Sequence, residues 1–571
     1  MKAMSMIFAA VVTVALAALT GSASAAEIAY KNGAWQWDDA SWEGGARPGP
    51  FDTAVIPELP TLKTRYDSGR MQSNGLTQDE EIQTLRFSDL YGIKVQGTHT
   101  LTLNSIVCDD MSPSSEDTAQ IATNIVATSY LALKGSEAEF RVGANHVLRL
   151  DANTLQKADE GVKVVKTGPG TVLHAGQIWN PTNTFWVKEG TYIRSGAGYP
   201  EFRSDIVVGG AGKDAVLTVL PSANQSLVLA TSVVDVRAKG RLELPALGKY
   251  YYLETLKIDH GVIDGGGDTT FCMSNQGATE CGTEYTLDGG TLSNGTIVVV
   301  FGGLLTICES DISSRIFGTL SFNTGYDIEV PDGTAPVDFM VVGDLAGSNR
   351  GINKAGAGTM LVRCEDHIST WGGTAGRTFE IKGGRFFIES SADGIGMGTN
   401  NVVVASGAAY GGVGRHVGAP INLRGLWGNV TLNGAEDAPA SLIPGTIDES
   451  TGAIAPGTFT IGSADQTNNV TFVNSCKLQI GADRESVSKL VVNGLLTLSG
   501  SDELAIVGPE DPKKLPSGEH VIVSTKEAMN APFASVTYNG EPLTSSFGRI
   551  KHLSNSIVFR VPTRGLTISV R

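Results

Sequence analysis

Three short segments carry the residue types that acid–base cleavage of polysaccharides requires. Two carboxylates about 5 to 9.5 Å apart suffice for glycoside hydrolysis, and adjacent carboxylates occur at Asp109-Asp110. A histidine at His260-Gly261 and two cations at Arg549-Ile550-Lys551 would complete a set of the kind that polysaccharide-cleaving enzymes use. These segments form one site only if the fold brings them together.

We expect the other acidic groups to have no catalytic or metal-binding role. We expect Asp38-Asp39 and Asp79-Glu80-Glu81 to be solvated carboxylates in loops. Gly209–Leu217 matches the calcium-binding pattern G-G-x-G-x-D-x-U-x. A calcium roll needs neighbouring copies of this pattern, and none follows, so we predict a glycine corner that leads into a strand. Asp264 and Asp268 form a similarly weak carboxylate pair.

Further catalytic and metal-binding patterns are missing from the sequence. It contains no G-x-S-x-G, H-E-x-x-H or G-x-x-x-x-G-K-[ST] motif. The six cysteines show no C-x-x-C spacing and do not cluster with histidines. We therefore predict no catalytic residue, no cofactor and no metal ligand. Cys272 and Cys281 bracket a polar loop, either as a local disulfide or as two buried thiols.

The composition favours a β-rich chain with many turns. Glycine accounts for 70 of the 571 residues, whereas charged residues make up 18% and aromatic residues 7%. Each glycine costs about 1 kcal/mol in a helix interior relative to alanine, so long helices are disfavoured. The formal charge is −16 and the pI is near 5.0. Such a surface repels phosphate backbones, and we predict no nucleic-acid partner.

The first 25 residues predict an export signal. Lys2 precedes the apolar stretch Met6–Leu19, and small residues end the segment at Ala25. The apolar stretch is shorter than the roughly 20 residues that span a bilayer. We therefore expect cleavage after Ala25, no transmembrane segment thereafter, and a location outside the cell or on its outer surface.

Short strands separated by glycine turns recur along the mature chain. Apolar and polar residues alternate over five to seven positions and then stop at Gly, Asn or Asp, as half-buried strands do. Stacked coils of about 20 to 25 residues would pair these strands in parallel without crossover helices, which predicts a β-solenoid. We expect only helical turns at Leu155–Glu160 and Lys526–Asn530. The alternating segments include Ile82–Phe87, Thr100–Leu103, Val147–Leu150, Val216–Leu220 and Leu495–Leu498.

Two stretches share the pattern K-x-G-x-G-T-apolar. Lys166–Leu173 is followed, after a polar loop, by the strand-like segment Phe185–Ile193. Lys354–Val362 is likewise followed by Phe379–Ile388. The glycines permit left-handed backbone at tight corners, and the β-branched and aromatic residues point into the coil.

These two motifs resemble the autotransporter-associated β-strand repeat family of bacterial exported proteins. Val402–Gly414, Leu442–Gly445 and Ala455–Ile461 are weakly similar to further coils of that family, and the tryptophan-rich segment Trp35–Ile56 is similar to its entry region. The resemblance implies a right-handed, passenger-type parallel β-helix from a Gram-negative bacterium. The motifs that carry this resemblance contain no catalytic residues.

The end of the chain departs from a complete autotransporter. Residues 504–571 contain six prolines and are too short for the eight strands of the smallest membrane barrel. We therefore expect a passenger-like protein without a translocator. The predicted division is a signal peptide (1–25), a Trp-rich cap (26–57), the solenoid (58–503) and a C-terminal β cap (504–571), with a hairpin at Asn539-Gly540.

Coil stacking argues against catalysis. About seven coils, some 33 Å, would separate Asp109-Asp110 from His260, and about thirteen more would separate His260 from Arg549. We therefore expect a structural solenoid that presents an extended surface for adhesion or matrix formation, with extracellular polysaccharide or a cell surface as partner. The alternative is a carbohydrate-binding or polysaccharide-degrading β-helix. Tryptophans act either as sugar contacts or as aromatic plugs, and the candidate contacts are Trp179, Trp186 and Trp371.

Overall fold

The structure is a computed structural model of the chain. The residues that it describes are 25–31, 36–57, 73–88, 94–110, 122–156, 161–176, 178–179, 184–195, 205–220, 227–244, 250–273, 284–299, 303–322, 325–347, 352–364, 378–390, 401–416, 428–465 and 467–562. The predicted export signal lies outside them, except for Ala25.

The described residues form an all-β protein. They contain no α-helix, and their helical content consists of short 3-10 turns at Asp39–Ser41, Glu43–Gly45 and Pro512–Lys514. None of them belongs to an apolar helix of membrane-spanning length.

The first strands are β1 (Glu27–Ala29), β2 (Gln36–Trp37), β3 (Thr53–Ile56), β4 (Ser73–Leu76), β5 (Glu80–Glu81), β6 (Thr84–Phe87), β7 (Lys94–Leu103), β8 (Ser105–Cys108), β9 (Ala122–Leu133), β10 (Glu137–Val142), β11 (His146–Leu150), β12 (Asn153–Gln156), β13 (Lys163–Thr167), β14 (Thr171–His174), β15 (Ile178–Trp179), β16 (Phe185–Val187) and β17 (Gly190–Ser195).

The middle strands are β18 (Ile206–Val208), β19 (Ala215–Leu220), β20 (Leu227–Val236), β21 (Gly240–Glu243), β22 (Tyr250–Asp259), β23 (Val262–Met273), β24 (Glu284–Asp288), β25 (Thr291–Val299), β26 (Leu304–Ile307), β27 (Ser314–Phe322), β28 (Tyr326–Glu329), β29 (Phe339–Val342), β30 (Leu345–Gly347), β31 (Ile352–Ala355), β32 (Thr359–Cys364), β33 (Thr378–Ile381) and β34 (Arg385–Ser390).

The last strands are β35 (Asn401–Val404), β36 (Ala409–His416), β37 (Val430–Asn433), β38 (Ala440–Pro444), β39 (Thr446–Ile447), β40 (Ile454–Ala455), β41 (Thr458–Ile461), β42 (Val470–Val473), β43 (Cys476–Gly481), β44 (Lys489–Val492), β45 (Leu496–Thr497), β46 (Glu503–Val507), β47 (Gly518–Thr525), β48 (Ser535–Tyr538), β49 (Glu541–Pro542), β50 (Arg549–His552) and β51 (Ser556–Val561).

The chain divides into two compact units. The first comprises Met1–Asp205 and Lys213–Ser222, and the second comprises Ile206–Gly212 and Ala223–Arg571. Within each unit, successive strands stack in parallel on the previous coil, which confirms the predicted parallel β-solenoid.

Coil length varies along the stacks. In the first unit Val172 pairs with Tyr192, 20 positions later. In the second unit Leu442 pairs with Leu478, 36 positions later. The strand register therefore tolerates loops of very different length, because only the strand segments must lie over one another.

The coil interior is filled by every second side chain of the strands. Val172, Tyr192 and Leu217 lie in register on β14, β17 and β19, and each is at most 1% exposed. In the second unit Phe386 and Tyr410 stack with ring centroids 6.1 Å apart. This inward alternation is the pattern that predicted half-buried strands.

The second unit has a separate seven-stranded parallel sheet in the order β28-β31-β33-β35-β37-β42-β45. A longer stack runs β27-β29-β32-β34-β36-β38-β43-β46-β48 through successive parallel pairings. Both stacks are built from the same coils, so each coil contributes strands to two faces.

An aromatic cluster lies near the beginning of the described chain. Trp37 and Trp42 are fully buried with ring centroids 4.7 Å apart, and Tyr30 packs edge-on against Trp42 at 5.1 Å. These two tryptophans are interior plugs and not exposed sugar contacts. Strand β1 beside them pairs in parallel with β3, which pairs with β6.

The C-terminal cap switches to antiparallel pairing. β48 and β49 form a hairpin whose turn is Asn539-Gly540, with φ values of +48° and +87°. The predicted hairpin is thereby confirmed. β51 pairs antiparallel with both β47 and β50. Antiparallel closure of this kind satisfies backbone groups that the last parallel strand would leave open.

A small hairpin covers one sheet from outside. β39 and β40 pair antiparallel, and we call the segment Thr446–Ala455 the strap. Ile447 of the strap packs into a buried apolar cluster on the outer face of the stack, formed with Val337, Met340, Leu361, Phe387, Ala409 and Ile443. The sheet beneath the strap is therefore buried on both faces.

Three local expectations were wrong. Lys526–Asn530 contains bends and no helical turn, because Thr525 Oγ1 donates to Glu527 O and Asn530 Nδ2 donates to Leu498 O. Leu155-Gln156 belongs to β12 and not to a helical turn, whereas residues 157–160 lie outside the described residues. Glu80-Glu81 forms β5 and not a loop, since it pairs with β7.

Candidate functional site

Trp186 is the described tryptophan whose position suits a surface contact. Its neighbours on β16, Phe185 and Val187, point inward, which leaves Trp186 outward and half-buried. The ammonium groups of Lys163 and Lys188 lie 4.3 Å and 4.4 Å from the centroid of its ring. Cation–π attraction holds both charges close to the aromatic surface.

The other sequence candidates give less information. Trp179 lies on β15, but its side chain is outside the described part of the structure. Trp371 and Cys281 are outside the described residues, and so is the side chain of Cys272 on β23. The proposed disulfide therefore stays a prediction.

His260 lies among three carboxylates of the second unit. Its Nδ1 is 2.7 Å from Asp259 Oδ1, and its Nε2 is 3.0 Å from Asp311 Oδ1. The hydrogen bonds that the protonated imidazole donates to Asp311 and Asp259 raise its pKa. One ligand-type atom from each of Asp259, His260 and Asp288 lies within 4.8 Å of the others. The sequence had indicated His260 but had not indicated these partners.

The groups that would have formed a polysaccharide-cleaving site have separate partners. Asp109 Oδ2 accepts from Arg86 Nε at 2.9 Å and from Ser88 Oγ at 2.6 Å. Asp110 Oδ1 accepts from the amide of Ala144 at 3.0 Å. These carboxylates stabilise the coil stack in the first unit.

Within the second unit, His260 is far from Arg549. Ten parallel pairings lead from β23, next to His260, through β25, β27, β29, β32, β34, β36, β38, β43 and β46 to β48 in the C-terminal cap. At about 4.8 Å per pairing the distance is about 48 Å. Arg549 lies on the exposed strand β50. The histidine and the basic segment do not converge.

Other acidic candidates also have local partners, whereas the side chain of Asp268 lies outside the described part of the structure. Asp38 caps the 3-10 turn by accepting from Ser41 N at 2.9 Å. Glu80 is 8% exposed and 2.7 Å from Arg47 Nη1, so it is a buried ion-pair partner and not the solvated carboxylate that we expected. Asp264 pairs with Arg241 and accepts from Asn294 Nδ2. Gly209, Gly210 and Gly212 have positive φ and lead into β19, which is the predicted corner.

The two K-x-G-x-G-T motifs contain a feature that sequence reasoning missed. Lys166 and Lys354 are each 0% exposed. Lys166 Nζ donates to Gly168 O and to Glu189 O at 2.8 Å, and Lys354 Nζ donates to Gly356 O at 2.6 Å and Gly383 O at 2.8 Å. Burial lowers the pKa of each lysine to about 8.

The two lysine corners are structurally equivalent. Lys166 lies opposite Val187, and Lys354 lies opposite Ile381, in the same register. Lys166 also donates to Glu189 O, two residues after Val187, and Lys354 donates to Gly383 O, two residues after Ile381. Each lysine therefore joins a glycine corner to the corner stacked on it, which is a structural role.

Buried histidine–tyrosine pairs occur in both units. His174 Nδ1 lies 2.6 Å from Tyr192 Oη, and His416 Nδ1 lies 2.9 Å from Tyr410 Oη. Burial lowers the pKa of His416 to about 4 and that of His174 well below its ordinary value. Both imidazoles are therefore neutral near pH 7. These buried neutral imidazoles, bonded to tyrosine, fill the core.

Comparison of the chain with protein-family models, with curated proteins and with solved structures found no match. The resemblance to autotransporter-associated repeats therefore stays a prediction.

Proposed function

We propose that the protein is an exported, surface-associated or secreted structural β-solenoid, which presents an extended surface for adhesion or matrix formation without catalysis. The observation that carries this proposal is that the candidate catalytic groups of each unit are bound to different local partners. A catalytic pair must share one substrate. Within the second unit His260 is bonded to Asp259 and Asp311, whereas Arg549 lies on the exposed strand β50 of the C-terminal cap.

The charged outer rows of the coils support the proposal. Lys163 pairs with Glu137 at 3.3 Å, and Lys477 pairs with Glu503 at 3.1 Å. Each pair joins residues that lie in register on neighbouring coils. The side chains thus link one coil to the next, which suits a scaffold.

Adhesion and catalysis can be separated in one assay. Beads coated with residues 26–571 are applied to films of acidic and neutral polysaccharides, and new reducing ends are measured in the same wells. We expect bead retention on at least one film without new reducing ends. Depolymerisation that disappears in Asp109→Asn or His260→Gln would overturn the proposal.

Export has its own test. The full chain is expressed in a Gram-negative host, the cells are fractionated, and the N-terminus of the recovered protein is sequenced. We expect material outside the cytoplasm that begins at Ala26. Protein that stays in the cytoplasm with Met1 intact would contradict export and leave the assay of the folded chain unaffected.

A second candidate, binding of acidic glycans, is favoured by the surroundings of Trp186. Two ammonium groups beside an aromatic ring supply both a stacking surface and charges that pair with a uronate carboxylate. Titration with an oligouronate should quench tryptophan fluorescence in the wild type and not in Trp186→Phe, while a neutral oligosaccharide should have little effect. A flat titration for both ligands would exclude this site.

A further inference from the structure

Three consecutive coils of the second unit bring side chains of different chemistry to one corner. β22 ends at Asp259 and β24 ends at Asp288, and these two residues lie directly opposite each other in register. β26 stacks on β24 with Ile307 opposite Leu287, so Cys308 follows on the third coil. The amide of Cys308 donates to Leu287 O at 2.8 Å.

His260 is turned into this corner by its backbone. It directly follows Asp259 and has φ +57°, in the left-handed region that few non-glycine residues adopt. Its side chain is 32% exposed, between Asp259 at 56% and Asp311 at 75%. The imidazole is thus fixed by two carboxylates and remains accessible to a small ion from solvent.

Three carboxylates, those of Asp259, Asp288 and Asp311, share the single imidazole of His260 at this corner. Carboxylates directly opposite on neighbouring strands destabilise a sheet. His260 forms ion pairs with Asp259 and Asp311. Among the described residues, no cationic side chain forms such an ion pair with Asp288. A bound cation would relieve the repulsion between Asp259 and Asp288.

A buried hydroxyl beside the carboxylates is a separate observation. Ser310 Oγ is buried and has no hydrogen-bond partner among the described residues. It lies next to Gly289, the residue after Asp288, where an added Cβ would meet Ser310 Oγ at 2.7 Å. Buried hydroxyls normally have a partner, and a polar group bound at this corner would supply one.

We propose that Asp259, His260 and Asp288 bind a divalent transition-metal ion of the Zn²⁺ type, with Cys308 as a further ligand. A set of imidazole, carboxylate and thiol suits Zn²⁺, whereas Mg²⁺ and Ca²⁺ prefer oxygen ligands alone. Because the ligands come from three coils, the ion would join these coils as an external clamp.

The contacts of the two ring nitrogens of His260 suit a metal ligand. In the metal-free chain both ring nitrogens contact carboxylate oxygens. On binding, the nitrogen that faces Asp259 releases its proton to solvent and donates its lone pair to the metal ion. The Cys308 thiol also releases its proton to solvent, and the resulting thiolate binds the ion. The other nitrogen keeps its N–H bond to Asp311, which is the usual carboxylate–histidine–metal arrangement. Asp311 would therefore be a positioning residue and not a ligand.

The test uses untagged residues 26–571 stripped of metal by chelator and titrated with Zn²⁺ in a calorimeter. We expect one ion per chain and a higher unfolding temperature when Zn²⁺ is present. Asp288→Asn and His260→Gln should each weaken binding by at least about tenfold, and Asp311→Asn by about tenfold. The matched control is Asp264→Asn, a nearby carboxylate already paired with Arg241, which should bind Zn²⁺ as the wild type does.

Co²⁺ provides a readout of the ligand set. Intensified visible absorption indicates bound Co²⁺ of low coordination number. A thiolate charge-transfer band that is lost in Cys308→Ser while Co²⁺ still binds places the Cys308 thiolate on the metal. Circular dichroism of each variant checks that it is folded. Identical Zn²⁺ titrations for the wild type, Asp288→Asn and His260→Gln would overturn the site and leave the proposed scaffold function unaffected.

Discussion

A carboxylate oxygen of Glu449 lies 2.7 Å from Nη1 of Arg363, a residue 86 positions earlier in the chain. Arg363 also pairs with Glu389 at 2.8 Å, and Arg315 lies 3.6 Å from Glu449. Since Glu449 belongs to the strap, these ion pairs fasten the strap across coils that precede it. Gly452 at the other side of the strap lies against Pro336.

The strap should stabilise the second unit mainly through its apolar contacts. Ile447 is 2% exposed in the cluster beneath the strap, and truncation of such a side chain costs about 2–5 kcal/mol. We expect Ile447→Ala to lower the free energy of unfolding by this amount in urea titrations. Val473→Ala is the control, because Val473 is 37% exposed and its loss should change stability by less than about 0.5 kcal/mol.

Removal of the whole strap tests what it covers. Thr446 and Ala455 are paired at its base, so deletion of Thr446–Ala455 leaves chain ends that a short glycine linker can join. The deleted chain should bind the dye ANS, because Met340, Leu361 and Phe387 become exposed. A deletion variant with wild-type stability and no dye binding would show that these side chains are covered in another way.

The sequence predicts the strands well where one face is buried. Val147–Leu150 and Val216–Leu220 alternate strictly, and they fall within β11 and β19. Alternation fails under the strap, where Phe386, Phe387 and Ile388 are all buried. A continuous apolar run is the sequence signal of a strand covered on both faces, and it could have indicated the strap.

The corner at His260 could not be found from local spacing. Its side chains come from coils joined by loops of variable length, so the sequence separation of Asp259, Asp288 and Cys308 follows no motif. The register of β22, β24 and β26 decides which residues meet. The lysine corners were missed for a different reason: a lysine in a strand is usually exposed, whereas Lys166 and Lys354 are buried by the coil above.

The buried lysines should each contribute to stability through the carbonyl groups to which they donate. Lys166→Met and Lys354→Met keep the apolar volume, and they remove the donor to three carbonyls and to two carbonyls, respectively. A buried polar group without a partner costs about 1–3 kcal/mol, so each variant should lose about 2 kcal/mol or more in chemical unfolding. Lys257→Met, at an exposed position of β22, is the matched control. Equal stability of all three variants would refute the proposed role.

Gly318 should tolerate no side chain. Its φ is +151°, and an added Cβ would lie 2.0 Å from the carbonyl oxygen of Gly295 on the neighbouring coil. We expect Gly318→Ala to cost about 3 kcal/mol, since steric crowding adds to the backbone cost. Gly500 has φ +93° with open space around it. Gly500→Ala should therefore cost only about 1 kcal/mol, and equal losses would show that crowding at Gly318 is unimportant.

Acid should destabilise the second unit through His416. Burial lowers the folded-state pKa of His416 to about 4, below the ordinary value of 6.5. Between these values the unfolded chain binds a proton that the folded chain excludes. The stability contribution is thus complete above pH 6.5 and is lost as pH falls towards 4, by about 3 kcal/mol.

His416→Gln isolates this effect, because glutamine can still donate to Gly428 O, which His416 Nε2 contacts at 3.0 Å, and it does not titrate. The stability difference between wild type and variant, measured in urea at about pH 7 and about pH 4, should shift by about 3 kcal/mol in favour of the variant at the lower pH. His174 titrates identically in both proteins, so its own contribution cancels in this difference. His260 has a raised pKa and acts with the opposite sign, but it too is common to both chains. If the stability difference does not change with pH, His416 has the same pKa in the folded and unfolded chains, and the prediction is wrong.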